Sequence, residues 1–142
     1  MVETSQRAGD ASSVVPARQF MSMLKDEIYR AERYGIPMSL IMAYAPSASA
    51  GERFSNFAVE HLRQVDAGTT LAAGIHVVCL PHTSSSRAEA VGMRLKAALR
   101  GAAIGVVTCP EDGRTVEQLV ASAEGLIRAS RRTIRTFQST SR

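Results

Sequence analysis

The sequence predicts an α/β (α+β) domain in which a central mixed sheet of about five strands is flanked by helices. Segments with apolar residues at helical spacing alternate along the chain with short apolar runs. One run, from Met38 to Tyr44, is almost continuously apolar, as is typical of a strand covered on both faces. Two further runs, 69–73 and 76–80, flank Gly74-Ile75 and predict a tight β-hairpin that Pro81 ends.

Length and composition limit the classes of protein to consider. With 142 residues the chain is long enough for one domain but short for two. We expect a flexible leader over 1–15, a folded domain over 16–138 and a polar tail over 139–142. No apolar run approaches eighteen residues and no signal sequence stands out, which predicts a cytoplasmic protein without a membrane span. The net charge of +4 permits an anionic partner without naming one.

The bounds of the helices and strands are predicted from capping residues and from the spacing of apolar residues. Pro16 begins the first helix and Gly35 ends it, and its predicted core face carries apolar residues at helical spacing. The four predicted helices are 16–34, 52–64, 84–100 and 115–131. The strands beyond the hairpin are 38–44, 102–109 and a short edge strand from Ile134 to Phe137. Cys79 and Cys109 fall in apolar strands, which favours two buried thiols over a disulfide.

The stretch from Arg63 to Pro81 resembles the signature hairpin of the GGDEF family of diguanylate cyclases. That pattern runs R-x-x-D, five residues, G-G-D/E-E-F, apolar residues and L-P. Segments 16–20, 30–42 and 104–119 match other family segments in order and spacing, so that the resemblance covers residue 16 to about residue 135. It implies a GGDEF-like, nucleotidyl-cyclase-type fold and a role in bacterial second-messenger signalling.

The departures from the family pattern fall on its reactive positions. The signature reads Ala72, Ala73, Gly74, Ile75 and His76. Where the family places Asp-x-Asp to hold Mg²⁺, this chain has Tyr44 and Pro46, which offer no carboxylate to a hard cation. The resemblance therefore implies a degenerate domain that is not an enzyme and needs no metal or other cofactor.

The family's inhibitory site (I-site), which binds the product cyclic di-GMP, is retained in sequence. Arg63 and Asp66 stand at the family spacing before Ala72, and Arg94 stands where relatives carry a second arginine. A guanidinium group can bind phosphate or the edge of guanine, and a carboxylate can accept from guanine N–H groups. We expect these three residues to bind cyclic di-GMP, with a ligand-bridged dimer as the response.

Several alternatives stay open. Ligand binding is the preferred interpretation, and the second is that Arg63 and Asp66 are a relic or a local ion pair. The domain would then be a ligand-free interaction or dimerisation module for a partner signalling protein. A third hypothesis is residual GTP binding without turnover. The resemblance also places Arg131 at a family lysine position, where one positive charge persists. His76 is expected to be a packed or an edge histidine rather than a metal ligand. A basic cluster late in the chain favours a solvated helix end over nucleic acid or membrane binding; its members are Arg128, Arg131, Arg132 and Arg135.

Overall fold

The computed structural model describes the backbone of residues 13–140 and the side chains of residues 13–131. The described residues form four helices and four strands. In chain order they are α1 (Ala17–Tyr34), β1 (Met38–Tyr44), α2 (Ala50–His61), β2 (Ala67–Ala72), β3 (Ile75–Leu80), α3 (Ser85–Ala98), β4 (Ala103–Cys109) and α4 (Val116–Thr140).

The strands form one sheet in the order β2-β3-β1-β4, and neighbouring strands are antiparallel. β1 is central: Ile41 pairs with Val78 on one side and with Val106 on the other. Six of its seven residues are buried, as the apolar run predicts. The predicted fold class is confirmed.

Two details of that prediction are wrong. Within residues 13–140 the sheet has four strands rather than about five, and the paired strands are antiparallel rather than mixed in direction. The expected edge strand, Ile134 to Phe137, is part of α4. Ile134 lies seven residues after the core residue Ile127, and no Gly or Pro follows Gly125, so the helical period continues without a stop signal.

Each face of the sheet has its own core. On one face β1, β3 and β4 pack with α1 and α4; the core residues that these two helices contribute are Phe20, Leu24, Ile28, Ala31, Leu119, Ala123 and Ile127. On the other face they pack with α2 and α3, which contribute Ala50, Phe54, Phe57, Ala58, Ala88 and Leu95. The predicted inward face of α1 is confirmed, and Gly35 ends this helix at φ 70°. Cys79 and Cys109 are free and buried, as expected.

Residues 13–15, which we call the N-terminal strap, lie along the outer edge of β2. Val14 forms a parallel bridge with Gly68, and the N–H of Gly68 donates to the carbonyl of Ser13 at 2.8 Å. The predicted leader is therefore tied down at its last three residues, whereas residues 1–12 lie outside the described part. At the other end, Ser139 and Thr140 belong to α4 and residues 141–142 lie outside the description. Within the described residues, no helix combines the length and apolarity needed to cross a membrane.

Candidate functional site

Arg63 and Asp66 form a closed turn between α2 and β2. The guanidinium of Arg63 donates to both oxygens of the Asp66 carboxylate, with Nη2 2.8 Å from Oδ1 and Nε 3.2 Å from each oxygen. The backbone N–H of Arg63 donates to Oδ2 at 2.7 Å. Hydrogen bonding to this carboxylate raises the pKa of Arg63 above its ordinary value, although partial burial works against the shift.

The loop after β3 also binds Nη2, the guanidinium nitrogen that donates to Asp66. Nη2 of Arg63 lies 2.8 Å from the carbonyl oxygen of Pro81 and 2.8 Å from Oγ1 of Thr83. The side chain of Asp66 is 3 % exposed, whereas that of Arg63 is 46 % exposed. Asp66 is therefore an internal anchor, and Arg63 presents the remaining surface of its guanidinium to solvent.

Arg63, Asp66 and Arg94 line one pocket of about 290 Å³. The structure thus brings together the three residues that the sequence singled out: Arg63 and Asp66 from the turn between α2 and β2, and Arg94 from α3. Asp66 forms part of the wall beneath Arg63, and its oxygens are already engaged, so it does not offer a free acceptor to a ligand in this conformation. Sequence reasoning gave Asp66 that direct role, and the geometry instead gives it the role of positioning Arg63.

The pocket contains two basic groups that sequence reasoning did not assign to it, Arg87 and His61. Arg87 precedes Arg94 by seven residues in α3, which places both on one face of the helix. This seven-residue spacing is the sequence signal that could have identified Arg87 as a pocket residue. Arg87 and Arg94 are exposed and have no hydrogen-bond or ion-pair partner among the described residues.

The segment that the resemblance aligns with the family signature, Ala72 to His76, lies elsewhere, at the tip of the β2–β3 hairpin. Ile75 pairs with Tyr44 across β3 and β1, so two of the residues that the resemblance aligns with metal-binding positions lie side by side. Gly74 adopts φ 80°, and a Cβ there would lie 3.1 Å from Cα of Pro46. The expected tip, Gly74-Ile75, is shifted by one residue: Ala72 ends β2, and Ala73 and Gly74 form the turn.

This region does not fit a magnesium ion. Tyr44, Pro46 and Ile75 supply no carboxylate, and the residues described contain no cluster of three or more His, Cys, Asp or Glu side chains that could hold a metal. The guanidinium of Arg131 lies 4.4 Å from the ring centroid of Tyr44, and both residues line a second pocket of about 280 Å³. An aromatic ring and a cation therefore occupy the neighbourhood that the resemblance assigns to metal binding.

His76 is packed, as its position predicted. Its side chain stacks against Phe54 at a centroid distance of 4.9 Å, and Nδ1 shares a 2.8 Å hydrogen bond with Oγ1 of Thr70. Nε2 is buried and has no partner among the described residues. Burial lowers the pKa of His76, because the charged ring would lose its hydration.

Comparisons with known proteins agree with this architecture. No family model matches the sequence, and no curated protein matches it. Among solved structures, a sensory box/GGDEF family protein from Caulobacter crescentus has a TM-score of 0.69 at 17% identity, with 87% of this chain and 96% of that chain covered. The GGDEF domain of YfiN (TpbB) from Pseudomonas aeruginosa has a TM-score of 0.70 at 17% identity, with 87% of each chain covered.

A third similar structure is described as a microbial GGDEF domain in a novel interaction mode with cyclic di-GMP. Its TM-score is 0.64 at 15% identity, with 82% of this chain and 84% of that chain covered. At these identities the likeness is one of fold. The chain has the fold of a GGDEF domain.

Proposed function

We propose that this chain is a signalling module that binds cyclic di-GMP in the pocket of Arg63, Asp66 and Arg94 and has no cyclase activity. The observation that carries the proposal is the convergence of Arg63 and Arg94, thirty-one positions apart in sequence, on one pocket. The similar GGDEF domain with cyclic di-GMP supports the choice of ligand.

The pocket has the chemistry that a phosphodiester ligand requires. Guanidinium groups donate bidentately to phosphate oxygens and to the O6/N7 edge of guanine. Arg63 is held in one orientation by Asp66, Thr83 and Pro81, so less conformational entropy is lost when it binds. Arg87 and Arg94 add unneutralised positive charge to the same pocket, which favours a ligand with two phosphates.

The absence of turnover is part of the proposal. Phosphoryl transfer between nucleotides needs a metal ion to neutralise the charge that develops on the phosphate. Tyr44, Pro46 and Ile75 cannot supply the carboxylates that would hold the ion. We therefore expect this chain to sense the nucleotide rather than to make it.

Calorimetric titration with cyclic di-GMP tests the binding. We expect a saturable signal that Arg94→Ala weakens by at least about tenfold, since a charge-assisted contact contributes about 1.5–3 kcal/mol. Arg94 has no internal partner among the described residues, so this change leaves the fold intact. Arg18→Ala, on the exposed surface of α1, is the matched control and should bind like the parent.

Two outcomes would contradict the proposal. An absence of heat at high ligand concentration, with the protein shown to be folded, would remove the receptor role. Formation of cyclic di-GMP from GTP and Mg²⁺ would remove the claim of inactivity.

One observation favours a second candidate, a ligand-free interaction module. The hydrogen bonds of the Arg63–Asp66 turn are complete without any ligand, as they would be in a purely structural ion pair. If Arg63→Lys lowers the free energy of unfolding and no nucleotide binds to the parent protein, the ligand-free interaction module becomes the better supported function.

A further inference from the structure

The two edges of the sheet differ in their protection. On β2 the N-terminal strap pairs with Gly68, and the strand register shifts between Thr70 and Ala72. Within residues 13–140, β4 pairs with β1 alone, so its outer edge has no strand partner. Exposed strand edges are ready templates for another strand unless the fold covers or interrupts them.

A groove of about 270 Å³ lies on this open side, between α3 and α4. Ile104 and Val106 of β4 form its floor, and Leu126 of α4 forms one wall. Gly92 of α3 lies directly over the floor, since a Cβ added there would be 2.8 Å from Cγ2 of Val106. The helix therefore lies close to the middle of β4.

The wall formed by α3 carries a stripe of three exposed side chains, Glu89, Met93 and Lys96. Their spacing of four and three residues places them on one face of the helix. Met93 is 67 % exposed, and Leu126 across the groove is 46 % exposed. Glu89 and Lys96 have no ion-pair partner among the residues described.

This arrangement is complementary to itself. Val106 is the middle residue of β4, and Gly92 lies over it. A two-fold axis beside Val106 and perpendicular to the sheet therefore also passes near the middle of the stripe. Such an axis reverses the direction of α3 in the second copy. Met93 then faces Met93 of the second copy, and each Glu89 faces a Lys96, because the two charges lie about one helical turn on either side of the centre.

We propose that this surface is a homodimer interface, in which β4 of two copies pairs antiparallel about Val106 to extend the sheet. The α3 stripes pack across the two-fold axis on one face, and the Leu126 side chains meet on the other. The partner is a second copy of this chain, because one copy carries both a glutamate and a lysine that can pair with those of the other, and each copy contributes one unpaired strand edge. Isologous contacts of this kind close at two subunits.

Sedimentation velocity across a range of protein concentrations tests the interface without any ligand. We expect a dimer whose dissociation constant rises by at least about tenfold in Glu89→Lys and in Lys96→Glu, because each change sets like charges opposite one another. The double variant Glu89→Lys/Lys96→Glu restores opposite pairs and should dimerise like the parent. A monomer at all concentrations, or a double variant as weak as the single ones, would overturn the proposal.

Cysteine cross-linking gives an independent test that does not depend on affinity. Met93→Cys should form a disulfide-linked dimer under mild oxidation, because the two side chains meet at the axis. Ala90→Cys is the matched control. Ala90 is also exposed on α3 but lines the pocket of Arg63, Asp66 and Arg94, which we call the arginine pocket. The two native cysteines are 0 to 1 % exposed and should not react. Equal cross-linking of both variants, or none at position 93, would contradict the interface.

The proposed dimer interface can be tested independently of the proposed nucleotide binding. The interface lies on the other side of α3 from the arginine pocket, so Arg94→Ala should leave dimerisation unchanged. Conversely, Glu89→Lys should bind cyclic di-GMP like the parent. A dimer that forms only with cyclic di-GMP present would contradict this interface while leaving the receptor role in place.

Discussion

Gly105 lies where α4 packs against β4, and its missing side chain is what permits the contact. A Cβ at this position would be 2.5 Å from the carbonyl oxygen of Ala123, a backbone atom that cannot move without shifting the helix. We expect Gly105→Ala to lower the free energy of unfolding by about 1–3 kcal/mol or more, as overpacked cores do. Urea denaturation measures the change.

Gly51 provides the matched control. It lies in α2, and a Cβ there meets nothing within 4 Å. Gly51→Ala should stabilise the domain by less than the cost of about 0.5–1 kcal/mol for a glycine in the middle of a helix, because Gly51 is the second residue of α2. Equal stability of the two variants would show that α4 does not pack on Gly105 as described.

His76 links the stability of the domain to pH. Burial lowers its pKa in the folded state, so the unfolded chain binds more protons in the range below the ordinary histidine value. The stabilisation is complete above a pH of about 6.5 and is lost as the pH falls towards the lowered pKa. The free energy of unfolding, measured by urea denaturation between pH 7.5 and 5, should decrease with acidification.

Replacement of the ring identifies the source of this dependence. His76→Asn keeps a polar group near Thr70 but does not titrate, so it should flatten the pH profile whatever its effect on stability at neutral pH. His82→Asn makes the same replacement on an exposed turn at φ 53°, a conformation that asparagine tolerates, and should keep the parent slope. An unchanged slope in His76→Asn would refute the assignment.

At the scale of elements, the turn between α2 and β2 depends on Asp66. This buried carboxylate accepts hydrogen bonds from the backbone and the guanidinium of Arg63 and fixes that side chain in the pocket. We expect Asp66→Ala to lower the free energy of unfolding by about 1–3 kcal/mol. It should also weaken cyclic di-GMP binding, because Arg63 loses its fixed orientation. Denaturation and titration of the same preparation measure both effects.

Asp26→Ala is the control for this change, since Asp26 is exposed on α1 and has no hydrogen-bond partner among the residues described. It should alter the free energy of unfolding by no more than about 0.5 kcal/mol. A folded Asp66→Ala variant with full affinity would show that the orientation of Arg63 does not matter for binding.

Helix α3 separates two surfaces by its periodicity. Arg87, Ala90 and Arg94 face the arginine pocket, whereas Glu89, Met93 and Lys96 face the groove beside β4. Gly92 allows the helix to approach Val106 closely between these faces. Because the two sets of side chains lie on different faces of a rigid helix, we expect a substitution on one face to leave the binding surface on the other face unchanged.

At the scale of the whole molecule, local signals account for most of the predicted fold. The stripe of α1, the stop at Gly35 and the apolar run of β1 each specify structure within a few residues, and each was predicted correctly. The strand expected at Ile134 to Phe137 was wrong because a short apolar and aromatic segment is compatible with both periods. Helix α2 ends at His61, earlier than predicted, because Arg63 and Asp66 begin their turn there.

The candidate site was predictable only in part. The family spacing identified Arg63, Asp66 and Arg94, and the fold brings them to one pocket. Whether a carboxylate faces a ligand or its own neighbour depends on burial, which a spacing of three residues does not reveal. Arg87 enters the pocket because α3 packs beside the end of α2, a relation that local patterning does not contain.

The unequal protection of the two sheet edges limits how far these molecules can assemble. A pair joined through β4 would present β2 at both outer ends, where the strap and the register shift obstruct the addition of another strand. Growth would therefore stop after one step, and the sheet could not polymerise into a filament. Residues 13–15 would therefore limit the assembly to two copies, because they cover the outer edge of β2.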